Sequence, residues 1–299
     1  MMQWQTPVDV PSPSWRILPT DRILCVGSCF AGHIGRRFQA DHFRAVVNPF
    51  GVMYNPVSVL HTLRGQPYPR RDGPAAPATP CDVAIVTLGT NHVYEELSTG
   101  RVVDNCQKRP QSEFRERLLD VEACAQTLEA IVAALRRQNS SARAVFTVSP
   151  IRYRKYGYHA SQLSKAALLL AIDRLLSEED SGRMVYFPAY EIVNDELRDY
   201  RFYAPDMLHP SEPTADYLYA RFKQAYFSPS ALRMAEEWAP IREALGHRPL
   251  HPDSDAYRQF AEATRQRKQA FESRYFPLTT PQTDSLPPGS EEGCPKQII

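Results

Sequence analysis

Short apolar runs alternate with helix-like stretches along the first 227 residues, and this alternation limits what the chain can fold into. Each apolar run has the length and composition of a strand that is buried on both faces. Strands are predicted in RILCVGS at 22–28, FRAVVNPFG at 43–51, CDVAIVTLGT at 81–90, ARAVFTVSP at 142–150 and RMVYFPAY at 183–190. The helical stretches between them predict a three-layer α/β/α sandwich, in which helices cover both faces of a central parallel sheet.

Other segments have patterns of their own. A hairpin is predicted around Ser98-Thr99-Gly100, and a long helical stretch over 112–138. The segment SQLSKAALLLAIDRLL at 161–176 predicts a helix that is apolar on nearly all sides and packs on the sheet. The last core helix is expected to follow Ser211, which has the residue type of an N-cap.

Composition divides the chain into four parts. Residues 1–20 are rich in proline and predict an arm on the surface, and residues 21–227 form the α/β domain. Residues 228–276 are charged and helical and predict a helical annex, whose aromatic side chains we expect to pack on the core. Residues 277–299 have the composition of a disordered tail.

The bulk composition excludes several classes of partner. The formal net charge of +1 gives no global field that would attract nucleic acid or an anionic membrane. No apolar run approaches the roughly 20 residues that cross a bilayer, and the N-terminus does not have the pattern of a signal peptide. The six cysteines form no Cys-x-x-Cys pair, so we expect reduced thiols and a cytoplasmic location. The scattered histidines and the lack of a Gly-rich phosphate loop predict neither a metal nor a cofactor.

Ser28 and Cys29 stand where the first predicted strand turns into a helix, directly after Gly27. The N–H groups and the positive dipole end of a helix N-terminus stabilise a thiolate or a developing oxyanion. This position is therefore typical of an activated nucleophile. The alternative is an N-cap serine followed by a buried structural cysteine.

Asp206 and His209 lie three residues apart in the loop before the last core helix. At this spacing a carboxylate can orient an imidazole, whose other nitrogen then serves a nucleophile. A pair of solvated loop charges would have the same spacing.

Candidate hydrogen-bond donors also follow strands. Gly51 offers a backbone N–H, while Asn55 and Asn91 offer side-chain amides. Gly27 and Gly89 end strands themselves, at the edge of a parallel sheet where ligands bind. Each of the three donors is more often a turn or cap residue than an oxyanion donor, but their shared position at strand ends favours the donor role.

GSCFA at 27–31 resembles the motif of the GSCFA domain family, which belongs among the SGNH/GDSL-like hydrolases. Similar blocks run through the core and include NPFGVMYNP at 48–56, VVDNC at 102–106, LSKAALLLA at 163–171 and YAPDMLHPS at 203–211. The resemblance implies an SGNH-type fold with the nucleophile in the first block, glycine and asparagine donors in the next two, and Asp206 with His209 in the last.

The register of the first block leaves two nucleophiles open. An alignment without gaps puts Cys29 under the family's catalytic serine, whereas a shift by one residue selects Ser28 and loses the glycine match. The resemblance also implies oxyanion roles for Gly51 and for Asn91, with Asn105 as its rival.

A basic aromatic loop, residues 152–165, interleaves tyrosines with arginines and a lysine. It is either a solvated loop or a lip that selects an aromatic or anionic part of a substrate. Base stacking on it is a third reading, which the near-neutral charge disfavours.

The functional expectation is an enzyme that cleaves or transfers an acyl group of a small-molecule or glycan ester through an acyl-enzyme. The alternative is a catalytically silent binding module on the same fold, with residues 228–276 as its partner surface.

Overall fold

The computed structural model describes residues 5–69, 80–179 and 181–277 of the chain. The described part contains eight strands: β1 (Arg22–Gly27), β2 (Arg44–Val47), β3 (Val83–Leu88), β4 (His92–Glu96), β5 (Val102–Val103), β6 (Phe114–Leu118), β7 (Arg143–Val148) and β8 (Met184–Tyr186). It also contains eight helices: α1 (Cys29–Ala40), α2 (Pro56–Leu63), α3 (Val121–Gln138), α4 (Tyr158–Ser177), α5 (Ala189–Glu191), α6 (Glu212–Tyr226), α7 (Pro229–Leu245) and α8 (Asp255–Tyr275).

Five strands form a parallel sheet in the order β2-β1-β3-β7-β8, which confirms the predicted fold class. The chain leaves β1 toward one edge of the sheet to form β2, and then crosses to the other side of β1 to form β3. The connections after β1 and β3 therefore diverge and open a crevice at the carboxyl ends of these two strands. In sheets of this order, ligands bind at that switch point.

The sheet separates two hydrophobic cores because successive strand residues point to opposite faces. Leu24 and Val26 of β1 pack with α2, α3 and α4, whereas Ile23 and Cys25 pack with α1 and α6. All six residues of β3 are buried, as expected for the central strand of a covered sheet.

The predicted long helix over 112–138 is wrong in its first part. Residues Phe114–Leu118 form β6, which pairs with β4 and, through it, with β5 in a small antiparallel sheet. Cross-strand ion pairs favour the strand, because Arg115 and Arg117 both reach Glu95. The helix begins only at Val121, after Asp120 accepts a hydrogen bond from the N–H of Ala123.

Helix α4 packs on the sheet as predicted, but it is buried on one side only. Leu168, Ile172 and Leu175 are buried against the sheet, but Leu163 and Leu170 are 58% and 57% exposed on the other side. The predicted cap of the last core helix is confirmed, since the side chain of Ser211 accepts from the N–H of Thr214.

The segments at the two ends of the domain pack against the α1 side of the sheet. The N–H of Ile17 donates to the carbonyl of Tyr226, and the N–H of Ser228 donates to that of Ile17. Trp238 and Phe271 of the annex stack together and meet His42, so this pair packs on the core as expected. The annex aromatics Tyr257 and Phe260 instead contact each other and His247.

The boundaries of the four predicted parts remain predictions. Apart from residue 277, the predicted tail at 277–299 lies outside the described residues. Among the described helices, none is both long and apolar enough to cross a membrane.

Candidate active site

The β1–α1 turn places the two candidate nucleophiles in different surroundings. Ser28 is fully buried and caps α1, where its Oγ accepts from the N–H of Phe30 and is hydrogen-bonded to Thr87 Oγ1 at 3.0 Å. Cys29 is the first residue of α1, forms no disulfide and is only partly buried. The hydroxyl of Ser28 thus belongs to the interior, whereas Cys29 is partly exposed at the positive end of the helix.

Gly27 is required by the approach of β1 to β3. Its φ of +133° favours glycine, and a Cβ atom at this position would overlap the carbonyl oxygen of Thr87. The N–H of Gly27 donates to the side chain of Asn48, and its carbonyl accepts from the N–H of Met53. The turn that presents Cys29 is therefore tied to β3 and to the loop after β2.

Asp206 and His209 form the hydrogen-bonded pair that the spacing predicts. Asp206 Oδ2 lies 2.6 Å from His209 Nδ1, and Oδ1 accepts from the backbone N–H groups of Leu208 and His209 at 2.8 and 3.0 Å. Burial opposes ionisation of Asp206, but these hydrogen bonds outweigh it and lower the pKa of the carboxyl. An ionised carboxylate selects the tautomer with a proton on Nδ1, which leaves the lone pair on Nε2.

The loop that carries this pair is held from two sides. The N–H of Ala204 donates to the carbonyl of His209. Arg152, in the loop after β7, donates from its backbone N–H to the carbonyl of Leu208 and from its guanidinium to that of Met207. The guanidinium also lies 4.4 Å from the ring centre of Tyr158. Arg152 therefore positions the loop of His209.

Ion pairs join helix α1, which begins at Cys29, to the start of α6, which follows the loop of His209. Arg37 of α1 makes ion pairs with Glu212 and Asp216 at the start of α6. His33 lies one helical turn after Cys29 and is 3.1 Å from a carboxylate oxygen of Glu212. Burial lowers the pKa of His33, and the positive charge of His209 contributes in the same direction, which makes the two imidazoles electrostatic neighbours.

Two of the predicted donors serve turns and caps. The N–H of Gly51 donates to the carbonyl of Asn48 at 2.7 Å in a tight turn with φ of +90° at Gly51. Asn55 caps α2 by accepting from the N–H of Ser58 at 2.9 Å. This bond uses Asn55 Oδ1 and leaves the Nδ2 group to donate elsewhere.

The other two predicted asparagines have local partners as well. Asn91 is buried, and its Nδ2 donates to the carbonyl of Leu119 at 2.7 Å, which joins β4 to the end of β6. Its Oδ1 is buried with no hydrogen-bond partner among the described residues. Asn105 is exposed after β5, where it accepts from the N–H of Gln107.

Sequence reasoning missed two side chains at the end of β3. Lys165 of α4 is 1% exposed, and its Nζ donates to the carbonyls of Gly89 and Ser149 at 2.7 Å each. Tyr153 is also buried, and its hydroxyl occupies the space that a Cβ at Gly89 would need. A signal for Lys165 was present, because it lies on the same helical stripe as Leu168 and Ile172, where a charged residue is out of place.

The basic aromatic loop is only partly a loop, since α4 begins at Tyr158. Tyr156 stacks on His92 at 3.6 Å between ring centres, and Lys155 lies over the ring of Tyr94 and contacts its hydroxyl. Lys155 and Tyr156 of this segment thus pack against β4. Whether the segment selects part of a substrate stays a prediction.

The fold and site together define an α/β protein with a thiol at the first strand–helix turn and an Asp-His pair on a loop held beside α1. The sequence model of the GSCFA family matches residues 22–67 and 75–222, and that of the GSCFA C-terminal domain matches residues 238–280. The chain belongs to the GSCFA family.

Solved structures of esterases are similar over most of the chain. A carbohydrate esterase family 3 protein from Talaromyces cellulolyticus is 10% identical, with a TM-score of 0.39, over 72% of this chain and 98% of that one. A family 2 carbohydrate esterase with a carbohydrate binding domain, from Corynascus thermopiles, is 13% identical, with a TM-score of 0.41, over 77% of this chain and 68% of that one.

A Streptococcus pneumoniae protein assigned as a platelet activating factor is 18% identical, with a TM-score of 0.42, over 70% of this chain and 84% of that one. No curated protein sequence matches the chain. The function is therefore inferred from the site itself.

Proposed function

We propose that the protein is an acyl-ester hydrolase or acyltransferase that works through an acyl-enzyme on Cys29, with His209 as general base and Asp206 as the residue that orients it. One observation carries the choice of nucleophile. The hydroxyl of Ser28 is buried and engaged with Phe30 and Thr87, while Cys29 is partly exposed at the first position of α1.

The proposed acylation step uses the tautomer that Asp206 selects. The lone pair of His209 Nε2 accepts the thiol proton, and Cys29 Sγ forms a bond to the acyl carbon of the ester. The carbonyl π electrons move to oxygen, and the tetrahedral intermediate collapses as the bond to the alcohol oxygen breaks. The alcohol leaves with the proton from His209, and a thioester remains on Cys29.

Deacylation runs through the same groups in reverse. His209 takes a proton from water or from an acceptor alcohol or amine, whose oxygen or nitrogen attacks the thioester carbon. The Cys29–acyl bond breaks, and the thiol recovers its proton from His209. Hydrolysis and transfer differ only in the acceptor, so the proposal covers both.

Charge on the acyl oxygen needs donors near Cys29. We assign this role to the first turn of α1, where the helix dipole favours negative charge. The N–H groups of Phe30 and Ala31 in this turn donate to Ser28 and would have to exchange those bonds. The amide of Asn91 already donates to Leu119, and the N–H of Gly51 already donates within its turn. Both would have to exchange these bonds to bind an oxyanion, as would Asn105 on its exposed loop. Asn55 keeps its Nδ2 group for donation.

The substrate remains a proposal at the level of class. A small-molecule or glycan ester in the cytoplasm fits the acyl-enzyme chemistry. The cations Arg152 and Lys155 near the His209 loop and β4 would favour an ester with an anionic part.

The test is intact-protein mass spectrometry after brief exposure to an activated acetyl ester. A single acetyl group is expected on the wild type and on Ser28→Ala, and none on Cys29→Ala or His209→Ala. Cys106→Ala is the matched control, because Cys106, like Cys29, is partly buried and forms no disulfide. An acetyl group that persists in Cys29→Ala, or that disappears equally in Cys106→Ala, would contradict the assignment.

A further inference from the structure

Lys165 is a charged residue in a position that ordinarily excludes charge. Its side chain is 1% exposed in the interior between α4 and the sheet. Within the described residues, no carboxylate lies within ion-pair distance of its Nζ. Burying a lysine that has no charged partner destabilises the fold, so we expect its charge to have a function in the surroundings of Lys165.

The lysine reaches the end of the sheet at which ligands bind. Its Nζ donates to the carbonyl of Gly89, after β3, and to that of Ser149, after β7, at 2.7 Å each. An ammonium has three N–H groups, so one is left for a further partner. The two carbonyls hold the Nζ atom at the carboxyl ends of β3 and β7, and β3 borders the switch point of the sheet.

Cys29 lies at the neighbouring strand end. Gly27 of β1 pairs with Thr87 of β3, so Cys29 and Gly89 each lie two residues beyond this pair. The buried hydroxyl of Tyr153, which has no hydrogen-bond partner among the described residues, touches the backbone at Gly89. Lys165 and the Tyr153 hydroxyl thus meet at Gly89, at the strand end next to the one that carries Cys29.

The ionisation of these groups depends on Cys29. Burial lowers the pKa of Lys165 to about 7, and a negative charge at Cys29 acts in the opposite direction. Burial raises the pKa of Tyr153 well above its ordinary value, and Cys29 contributes to that rise. Other titratable groups around the pair are Tyr54, Tyr156, Tyr190, His33 and His209.

We propose that Lys165 is a positioning residue of the Cys29 site and that its ammonium, held by two strand-end carbonyls, stabilises the thiolate form of Cys29 from the interior. The inference rests on the proposed function only in taking Cys29 as the reactive group. Ammonium and thiolate stabilise each other, so the two groups titrate as a coupled pair.

The test measures the rate of alkylation of Cys29 by iodoacetamide as a function of pH, with peptide mapping to isolate this thiol. The variants are Lys165→Met, which removes charge and donors, and Lys165→Gln, which removes the charge but keeps an amide donor for the carbonyls. We expect the midpoint of the pH profile to rise by about one unit or more in both. Lys165→Arg keeps the charge, so its midpoint should lie closer to the wild-type value than the midpoints of the other two variants.

If Lys165→Met and Lys165→Gln fold and the midpoint of Cys29 alkylation stays at the wild-type value in both, the proposal is overturned. If neither variant folds, the reciprocal measurement replaces them, because coupling between two sites is mutual. Nitrogen NMR of labelled lysine should then show Lys165 losing its proton at lower pH in Cys29→Ser than in the wild type. Equal titration midpoints in the two proteins would refute the coupling.

Alkylation needs no turnover, so this test separates the two proposals. A shifted midpoint without any acetyl adduct would contradict the acyl-enzyme but keep the role of Lys165. An acetyl adduct together with unshifted midpoints would support the acyl-enzyme and contradict the role of Lys165.

Discussion

Replacing Asp206 with asparagine would test the proposed catalytic arrangement at its shortest hydrogen bond. In the native protein, Oδ2 lies 2.6 Å from His209 Nδ1 while Oδ1 accepts from two backbone N–H groups. An asparagine that keeps its oxygen on those N–H groups must turn its NH₂ group toward His209. The ring nitrogen then has to accept a hydrogen bond, and the imidazole proton moves to Nε2, where it blocks uptake of the thiol proton.

The alternative orientation of the amide is no better, because its NH₂ group would then face the N–H groups of Leu208 and His209. Either way the functional tautomer is lost. Losses of this kind in triads of nucleophile, histidine and carboxylate reach about ten-thousand-fold in rate, or about 5 kcal/mol of transition-state stabilisation. Asp206 has a side chain that is 46% exposed, so the cost in folding stability should be small by comparison.

The assay is the rate of Cys29 acetylation, followed by mass spectrometry with folding checked by circular dichroism. Asp173→Asn is the matched control, since Asp173 is an exposed carboxylate on α4. Asp206→Asn combined with His209→Ala should be no slower than His209→Ala alone, because the two residues act as one unit. A folded Asp206→Asn protein that acetylates within tenfold of the wild-type rate would refute this reasoning.

Two further predictions concern stability. Gly27→Ala should lower the free energy of unfolding in urea by several kcal/mol, because its Cβ would meet the carbonyl of Thr87. Gly100 is also at positive φ but in open space, so Gly100→Ala should lower it by only about 1 kcal/mol. Equal losses in the two variants would show that the close approach is unimportant. Burial opposes ionisation of Glu196, but hydrogen bonds, including one from Arg221, outweigh it and lower the pKa of the carboxyl. The ionised carboxylate therefore stabilises the fold above the ordinary carboxyl pKa, and this contribution disappears as the pH falls through the lowered pKa. Glu196→Gln should therefore lower the Tm by several degrees at neutral pH and by progressively less as the pH falls below the ordinary carboxyl pKa. A loss of Tm independent of pH would contradict this assignment.

The sheet could be predicted from the sequence because its strands are buried on both faces. A run such as VAIVTL in β3 has no other stable place in a domain of this size, and the helices between the runs require parallel pairing. Strand β6 was missed for the opposite reason. Four of its five residues are exposed, so the hydrophobic pattern is weak there, and its pairing depends on Glu95 in a strand far along the chain.

The candidate site could be predicted where it is local in sequence. Cys29 follows its strand directly, and Asp206 reaches His209 within one loop, so spacing alone indicates these groups. The donors could not be predicted in the same way. An asparagine after a strand can donate to a ligand or to its own chain, and only the position of Leu119 decides that Asn91 does the latter.

In the proposed mechanism, the β1–α1 turn gives Ser28 a structural role and Cys29 the chemical one. A serine that caps a helix must point its oxygen back at the N–H groups of the first turn, here that of Phe30, and this direction takes it away from solvent. The next residue starts the helix and projects from its first turn, where the dipole stabilises negative charge. Ser28→Ala should therefore cost about 1 kcal/mol of stability and leave acetylation of Cys29 in place. The hydroxyl of Ser28 cannot cap α1 and attack an ester at the same time, which is the physical reason to assign the chemistry to Cys29.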